Sequence, residues 1–148
     1  MGSQVARSTE VTPALQAFAL RQVMPDARVR IRNGVLTWIG KVQPGPECST
    51  YELQIVHRPR RLPTARVLSA ALKPNDDGLL PHVYDDGALC LHDEEEWRSN
   101  MLLARTILPW ASEWLFYYEL WLASGTWYGD GPDRLDPVSQ AKILHPYG

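Results

Sequence analysis

The stretch Arg28-Val29-Arg30-Ile31-Arg32-Asn33-Gly34-Val35-Leu36-Thr37-Trp38-Ile39-Gly40-Lys41-Val42 decides the fold. Val29 and Ile31 alternate with Arg28, Arg30 and Arg32, the period of a half-buried strand. Asn33-Gly34 is the strongest short hairpin signal, because a tight two-residue turn needs positive φ at both central positions. Val35 to Val42 then makes the returning strand. Downstream, Pro44-Gly45-Pro46 reads as a turn, and Tyr51, Leu53 and Ile55 alternate again as a third strand. Arg58-Pro59-Arg60-Arg61-Leu62-Pro63 is a stiff basic connection, and Ala65 to Leu72 reads as a fourth strand. Upstream, Thr12-Pro13 reads as an N-cap followed by proline at the first helical position. Leu15, Phe18, Ala19, Gln22 and Val23 follow at helical spacing, so a first helix is expected over 13–24, ended by Pro25. After the fourth strand the chain turns helical at Ser99 to Leu108. Pro109 starts or kinks a second segment that runs to Ala123 and ends at Ser124-Gly125. Asp130 to Asp133 reads as a turn, and a short last helix is expected near Pro137–Leu144 with Asp136 as its cap. The fold class is α+β: a helix, a four-stranded antiparallel meander, then helices.

Composition bounds the function. The chain has 148 residues, 45% hydrophobic and 22% charged, which fits one soluble globular domain and excludes global disorder. A flexible N-terminus over 1–11 and a single domain over 12–148 are expected. The formal net charge of −2 gives no general nucleic-acid footprint. Two cysteines, Cys48 and Cys90, are too few for a disulfide framework and read as free thiols of a reducing cytoplasm. Met1 to Glu10 lacks the apolar run of a signal peptide. The most apolar region, Met101 to Gly125, is interrupted by Arg105, Pro109, Glu113 and Glu119, against a membrane span.

Lys73 to Glu96 has little periodicity, and a long irregular stretch inside a compact domain is usually functional or disordered. It holds Leu80-Pro81-His82-Val83-Tyr84-Asp85-Asp86-Gly87-Ala88-Leu89-Cys90-Leu91, with Trp97 behind it. This segment resembles the active-site stretch of ubiquitin-conjugating enzymes. There a His-Pro-Asn motif precedes a glycine turn, an apolar-Cys-Leu triplet and a tryptophan. Pro81, Gly87, Leu89, Cys90, Leu91 and Trp97 match in type and spacing. Leu80 stands where the family has histidine, and His82 where it has asparagine. The order of elements over residues 13–125 is also that family's order, so the resemblance implies a ubiquitin-conjugating-enzyme-like fold with an irregular cysteine loop.

The resemblance implies that Cys90 is the nucleophile of a cysteine acyltransferase, carrying the C-terminus of a partner protein as a thioester. The chemistry suits the residue: a thiolate is the attacking species, and free cysteine has a pKa near ~8.5. Acyl transfer builds negative charge on the carbonyl oxygen. The family links its asparagine to that charge, and His82 carries an N–H that could replace it; protonated, it would also favour the thiolate. The resemblance implies an adenylating activating enzyme as a partner, and no metal or other cofactor. His82 and the aromatic part from Pro109-Trp110 to Trp127 look like bacterial relatives in antiphage cyclic-oligonucleotide (CBASS) operons. Those act on the C-terminal tail of a nucleotidyltransferase similar to cyclic GMP-AMP synthase, while other bacterial relatives handle a ubiquitin-like protein. Members of the fold without catalysis serve as binding modules, which the departure at position 82 leaves open. A thiol redox protein is disfavoured because no Cys-x-x-Cys is present.

Other residues carry two readings each. Cys48 is structural or a loop thiol. His92 is a second polar neighbour of Cys90 or a solvated loop histidine. Asp76-Asp77, Asp85-Asp86 and Asp93 to Glu96 either tune an incoming amine and attract a basic partner, or form a solvated face. They match no calcium loop, and no zinc set is apparent. Arg58 to Arg61 is a phosphate contact or a solvated turn. Trp110, Trp114, Tyr117, Tyr118 and Trp121 form one helical stripe that packs on the sheet or meets a partner, with Phe116 and Leu120 off it. The aromatic loop Gly125 to Gly129 has no role that follows from sequence.

Overall fold

The computed structural model describes residues 10–69, 72–74 and 80–129. In chain order it holds helix α1 (Pro13–Val23), strands β1 (Arg28–Arg32), β2 (Val35–Val42), β3 (Tyr51–His57) and β4 (Thr64–Val67), a 3₁₀ turn at Leu103–Arg105, and helix α2 (Ile107–Ser124). The strands pair in sequence order as one antiparallel sheet. The α+β expectation holds, with the meander in the expected order. Residues 1–9, and the stretches expected to form a turn at Asp130 to Asp133 and a last helix near Pro137–Leu144, lie outside the described residues.

The first hairpin follows the local chemistry. Asn33 and Gly34 both take positive φ, 51° and 77°, so β1 and β2 are joined by the tight turn that matches strand twist. The pairing places Arg28, Arg30 and Arg32 opposite Ile39, Thr37 and Val35 on the outer face. The inner face carries Leu36, Trp38 and Val42 from β2, Leu53 and Ile55 from β3 and Ala65 from β4, all buried. β4 is shorter than the expected 65–72. Past Val67, the Leu68 amide still reaches the Glu52 carbonyl at 2.7 Å, but the Ser69 hydroxyl accepts the Glu52 amide at 3.1 Å. A side chain thus takes the place of the ladder's next carbonyl.

Helix α1 begins as the sequence implies: the Thr12 hydroxyl accepts the Leu15 amide at 3.2 Å, with Pro13 next to it. Its inward face, however, is Gln16, Ala17 and Leu20. The stripe of Leu15, Phe18 and Val23 faces out, with Leu15 51% and Phe18 58% exposed. The fully buried Gln16 explains the rotation. Its amide donates to the Met101 carbonyl at 2.9 Å and accepts the Leu103 amide at 2.8 Å, bridging α1 to a segment 85 residues away.

The same bond corrects the reading of Ser99 to Leu108 as one helix. Its backbone groups are taken by side chains: Gln16 holds Met101 and Leu103, and the Thr106 hydroxyl donates to the Leu102 carbonyl at 2.8 Å. The segment therefore makes turns and a 3₁₀ step, and α2 starts at Ile107. Pro109 lies in its first turn, where the missing N–H has no helical partner to lose. Gly125, at φ 78°, ends it by donating its amide to the Trp121 carbonyl at 2.7 Å. Ile107, Leu108, Ala111, Trp114, Leu115, Tyr117, Tyr118 and Trp121 are all buried, so α2 is a core helix clothed on most sides. Tyr118 meets Tyr51 of β3 edge to face at 6.5 Å. Glu119 accepts the Tyr51 hydroxyl at 2.8 Å and the Ser49 amide at 2.9 Å. The aromatic stripe thus packs inward, and Phe116 and Leu120 are half-buried.

Candidate functional site

Cys90 lies on a small hairpin hung from the edge of the sheet. The Leu89 amide donates to the Ala65 carbonyl of β4 at 2.9 Å, and Val83 pairs with Leu89 in an antiparallel bridge. One residue outward, the Cys90 amide donates to the His82 carbonyl at 2.9 Å. Cys90 and His82 are therefore cross-strand neighbours, while buried Leu89 fixes which face turns to the core. The turn is closed by Gly87 at φ 88°, a conformation glycine adopts without penalty, with its amide on the Tyr84 carbonyl at 2.9 Å.

Asp86 and Arg66 lock that turn. One Asp86 carboxylate oxygen accepts the Ala88 amide at 3.0 Å. The Arg66 guanidinium donates to the Asp86 carbonyl at 2.6 Å and to its carboxylate at 3.1 Å. The Ala88 N–H and then Arg66 hold the Asp86 carboxyl below the ordinary value of 3.8. A depressed carboxyl holds the turn at all pH above its unfolded value and releases it as pH falls through the lower folded one. The Ala88 amide resonance is accordingly expected to titrate with a midpoint below 3.8. In Arg66→Ala the midpoint moves up toward that value, as an acid titration by two-dimensional NMR reads directly.

His82 is held unusually. Its backbone is left-handed, at φ 57°, which is costly for a residue with a Cβ. Its carbonyl accepts both the Cys90 amide and the Trp114 indole N–H, the latter at 3.1 Å. Its ring lies against Trp127, with centroids 4.9 Å apart. Trp114 in turn stacks on Tyr118 at 5.6 Å and meets Trp127 at 5.3 Å. Helix α2 and the loop after it thus seat His82 through aromatic contacts. The loop Gly125 to Gly129 acquires a place here: Trp127 covers the histidine.

His82 and Cys90 line one cleft of about 170 Å³, shared with Glu96, Trp110, Glu113, Trp114, Tyr117 and Trp127. A residue that sequence reasoning passed over also reaches the sulfur. The Tyr84 phenol lies beside the Cys90 thiol, and the neighbouring sulfur, with some burial, pushes the phenol up to about 12. Tyr84 lies two residues from His82 on the same strand, so strand alternation was the signal that could have found it.

Apart from Glu96, which lines the cleft, the remaining candidates separate from this cluster. His92 turns its Nδ1 to the Asp93 carbonyl at 2.7 Å and its ring to Trp110 at 5.6 Å. Cys48 is a half-buried loop thiol, pushed up in pKa by burial and then by the Glu119 carboxylate. Both cysteines are free. Trp97 is buried, donates to the Thr106 hydroxyl at 3.0 Å and meets His57 edge to face. Glu96 accepts the Asp93 amide at 2.8 Å, and Asp85, Glu94 and Glu95 are exposed. Arg58, Arg60 and Arg61 stand exposed in the turn before β4. Asp76 and Asp77 lie outside the described residues. Among the described residues, no three His, Cys, Asp or Glu side chains are grouped to hold a metal ion. No described helix is long and apolar enough to cross a membrane.

Comparison with known proteins gives the same direction. No protein of curated function matches the chain. A family model described as Type II CBASS E2 protein matches residues 16–134, a span that takes in most of α1, the whole sheet, the cysteine hairpin and α2. On that match the chain belongs to the family of Type II CBASS E2 proteins.

Proposed function

We propose that Cys90 is an acyl carrier, taking the C-terminal carboxyl of a partner protein as a thioester. The partner is a nucleotidyltransferase similar to cyclic GMP-AMP synthase in the same antiphage system, and an adenylating activating enzyme supplies the activated carboxyl in the cytoplasm. One observation carries this reading. Cys90 sits across a hairpin from His82, lies beside Tyr84 and borders a cleft.

In the proposed reaction the Cys90 thiolate attacks the activated carbonyl carbon. The C–S bond forms, the carbonyl oxygen becomes an oxyanion, and collapse expels the activating group with its electron pair. The thiolate is stabilised by the Tyr84 O–H, since a hydrogen bond to an ion is among the stronger ones. The oxyanion is met by the His82 ring N–H, which requires only a donor near the developing charge. The acyl group then passes to an amine, or stays on the enzyme as a stable linked form. The half-exposed hairpin suits this work, because a bulky protein tail must reach the sulfur.

A second reading is a binding module of the same fold, for which the histidine in the family's asparagine position speaks. Phage challenge separates the two. Bacteria carrying the complete operon with Cys90→Ser are expected to lose protection by at least about tenfold in plaque counts, a change set by lost chemistry rather than lost fold. Protection equal to wild type overturns the carrier and leaves the binding module.

A further inference from the structure

We propose that the outer face of the sheet binds the phosphate backbone of a nucleic-acid duplex, through arginines that two separate runs of sequence bring to one end of the sheet. The proposal goes beyond the carrier role and does not depend on Cys90.

The first run lies on β1. Arg30 and Arg32 both point to the outer face, about 6.6 Å apart at ~3.3 Å per residue, and both are exposed. The second run, Arg58, Arg60 and Arg61, stands exposed in the turn between β3 and β4. The meander puts the β1–β2 turn and the β3–β4 turn at the same end of the sheet, and there they touch. A Cβ built on Gly34 would stand 3.1 Å from the Pro59 ring. Arg32 adjoins the first of these turns and Arg58 to Arg61 form the second, so one basic surface crosses that end of the sheet.

This charge is uncompensated. Among the described residues, no ion pair or side-chain hydrogen bond engages any of these five guanidiniums. Arg28, at the far end of β1, borders a cavity with Asp26, Lys41 and Glu52 and stays outside the surface. Glu10 bears on His57, whose ring packs on Trp97 at the inner face. The other acids lie elsewhere: Asp85, Asp86 and Asp93 to Glu96 are in and just after the cysteine hairpin, which hangs from β4, at the opposite edge from β1. The net charge of −2 therefore conceals a segregated chain.

The chemistry of the surface favours phosphate over an acidic protein. A guanidinium matches a phosphate with two parallel hydrogen bonds. Beside Arg30 in register stand Thr37, Val56 and Thr64, all half-buried, with no aromatic ring among them. Protein interfaces draw most of their energy from buried aromatic and other large anchors, which this row lacks. Hydroxyls between guanidiniums are instead the donor set of backbone contacts. The row also offers no ring on which an unpaired base could stack, which favours a duplex over a single strand. Arg60 adds a sign of its own. It takes φ 60° at the tip of a turn closed by the Arg61 amide on the Arg58 carbonyl at 3.2 Å. Glycine would hold that backbone more cheaply, so the turn carries its guanidinium at a conformational cost. From β1 to β4 the face spans about 14 Å at ~4.8 Å per strand, enough to meet several phosphates of a duplex.

Fluorescence anisotropy of the full chain with labelled DNA and RNA duplexes of about 20 base pairs tests this, between about 50 and 200 mM salt. Both duplexes are expected to bind, with log K falling against log salt at a slope of about −3 to −4, as four phosphate contacts imply. Arg30→Gln/Arg32→Gln and Arg58→Gln/Arg60→Gln/Arg61→Gln are each expected to weaken binding about tenfold at the low-salt end and to flatten the slope by about two. Lysine at the same positions keeps the charge and is expected to keep the slope, which separates lost charge from lost fold. Arg105→Gln, at an exposed position in the 3₁₀ turn, is expected to bind as wild type does. Absence of binding at the low-salt end overturns the proposal, as does binding that the glutamine sets leave intact or loss confined to one of the two runs. Polyglutamate of equal charge binding as tightly as the duplexes also overturns it, because the surface would then take an acidic protein segment. All readings are made without acylation, so the carrier role of Cys90 stands or falls separately.

Discussion

His82→Ala is expected to slow acylation of Cys90 by about 10²–10³-fold, the cost of removing one donor from a developing oxyanion in other acyl transfers. The structure makes this prediction separable from a folding defect. Position 82 works in two ways: its carbonyl holds the Cys90 amide and the Trp114 indole, and its ring lies against Trp127 where both residues line the cleft. Alanine keeps the carbonyl and removes the ring, but it also bears the cost of φ 57°, about 1–2 kcal/mol. Asparagine tolerates that conformation better and supplies an amide N–H. His82→Asn is therefore expected to recover most of the rate that His82→Ala loses. Glycine, which accepts the backbone without supplying a donor, is expected to stay as slow as alanine. Single-turnover thioester formation at matched protein concentration reads all three. If alanine matches wild type, the ring has no part in the chemistry. If glycine recovers the rate, the loss came from backbone strain.

Trp38→Ala is expected to destabilise the fold by about 3–5 kcal/mol, the range for removing a large aromatic from a core. Trp38 is 1% exposed on the inner face of β2, between Val29 of β1 and Ile55 of β3 in register. Its indole lies over Gly40: a Cβ built there would stand 2.5 Å from the Trp38 ring and 2.9 Å from the Ala27 side chain. Two residues of one strand are thus fitted to each other. Gly40→Ala in the intact protein is expected to cost about 1–3 kcal/mol by overpacking. In the Trp38→Ala background the part of that cost owed to the ring disappears, leaving only the 2.9 Å approach to the Ala27 side chain. Urea unfolding of the four proteins gives the coupling. Additive effects would contradict the contact.

The sheet was legible because its signals are local. Alternation around Val29 and Ile31, the Asn33-Gly34 turn and the Pro44-Gly45-Pro46 break each act within a few residues. The same holds for Pro109 in the first turn of α2 and for Gly125 at its end. What misled was long-range. Gln16 looks polar and therefore outward, but it satisfies backbone groups at Met101 and Leu103, turning α1 by its buried face and unwinding 99–105. Ser69 ended β4 through a side-chain hydroxyl that no propensity weighs. At the site, the motif around Cys90 pointed to His82, and Gly87 explains how the two come to face each other. Tyr84 went unremarked because its role depends on the hairpin register, and Trp127 because a loop tryptophan has no period. His82 now sits in a left-handed backbone under Trp127, which ties the substitution at the motif's third position to the aromatic loop far along the chain.

The most direct test of the carrier role is intact-protein mass spectrometry of the chain expressed with the neighbouring genes of its operon. Wild type and Cys90→Ser are compared with and without thiol reductant. Wild type is predicted to carry an adduct that reductant removes, because a thioester exchanges with free thiols. Cys90→Ser is predicted to carry the same mass as a reductant-resistant ester, and the added mass identifies the partner's tail. Absence of an adduct on both proteins, in the presence of a co-expressed activating enzyme, would contradict the account.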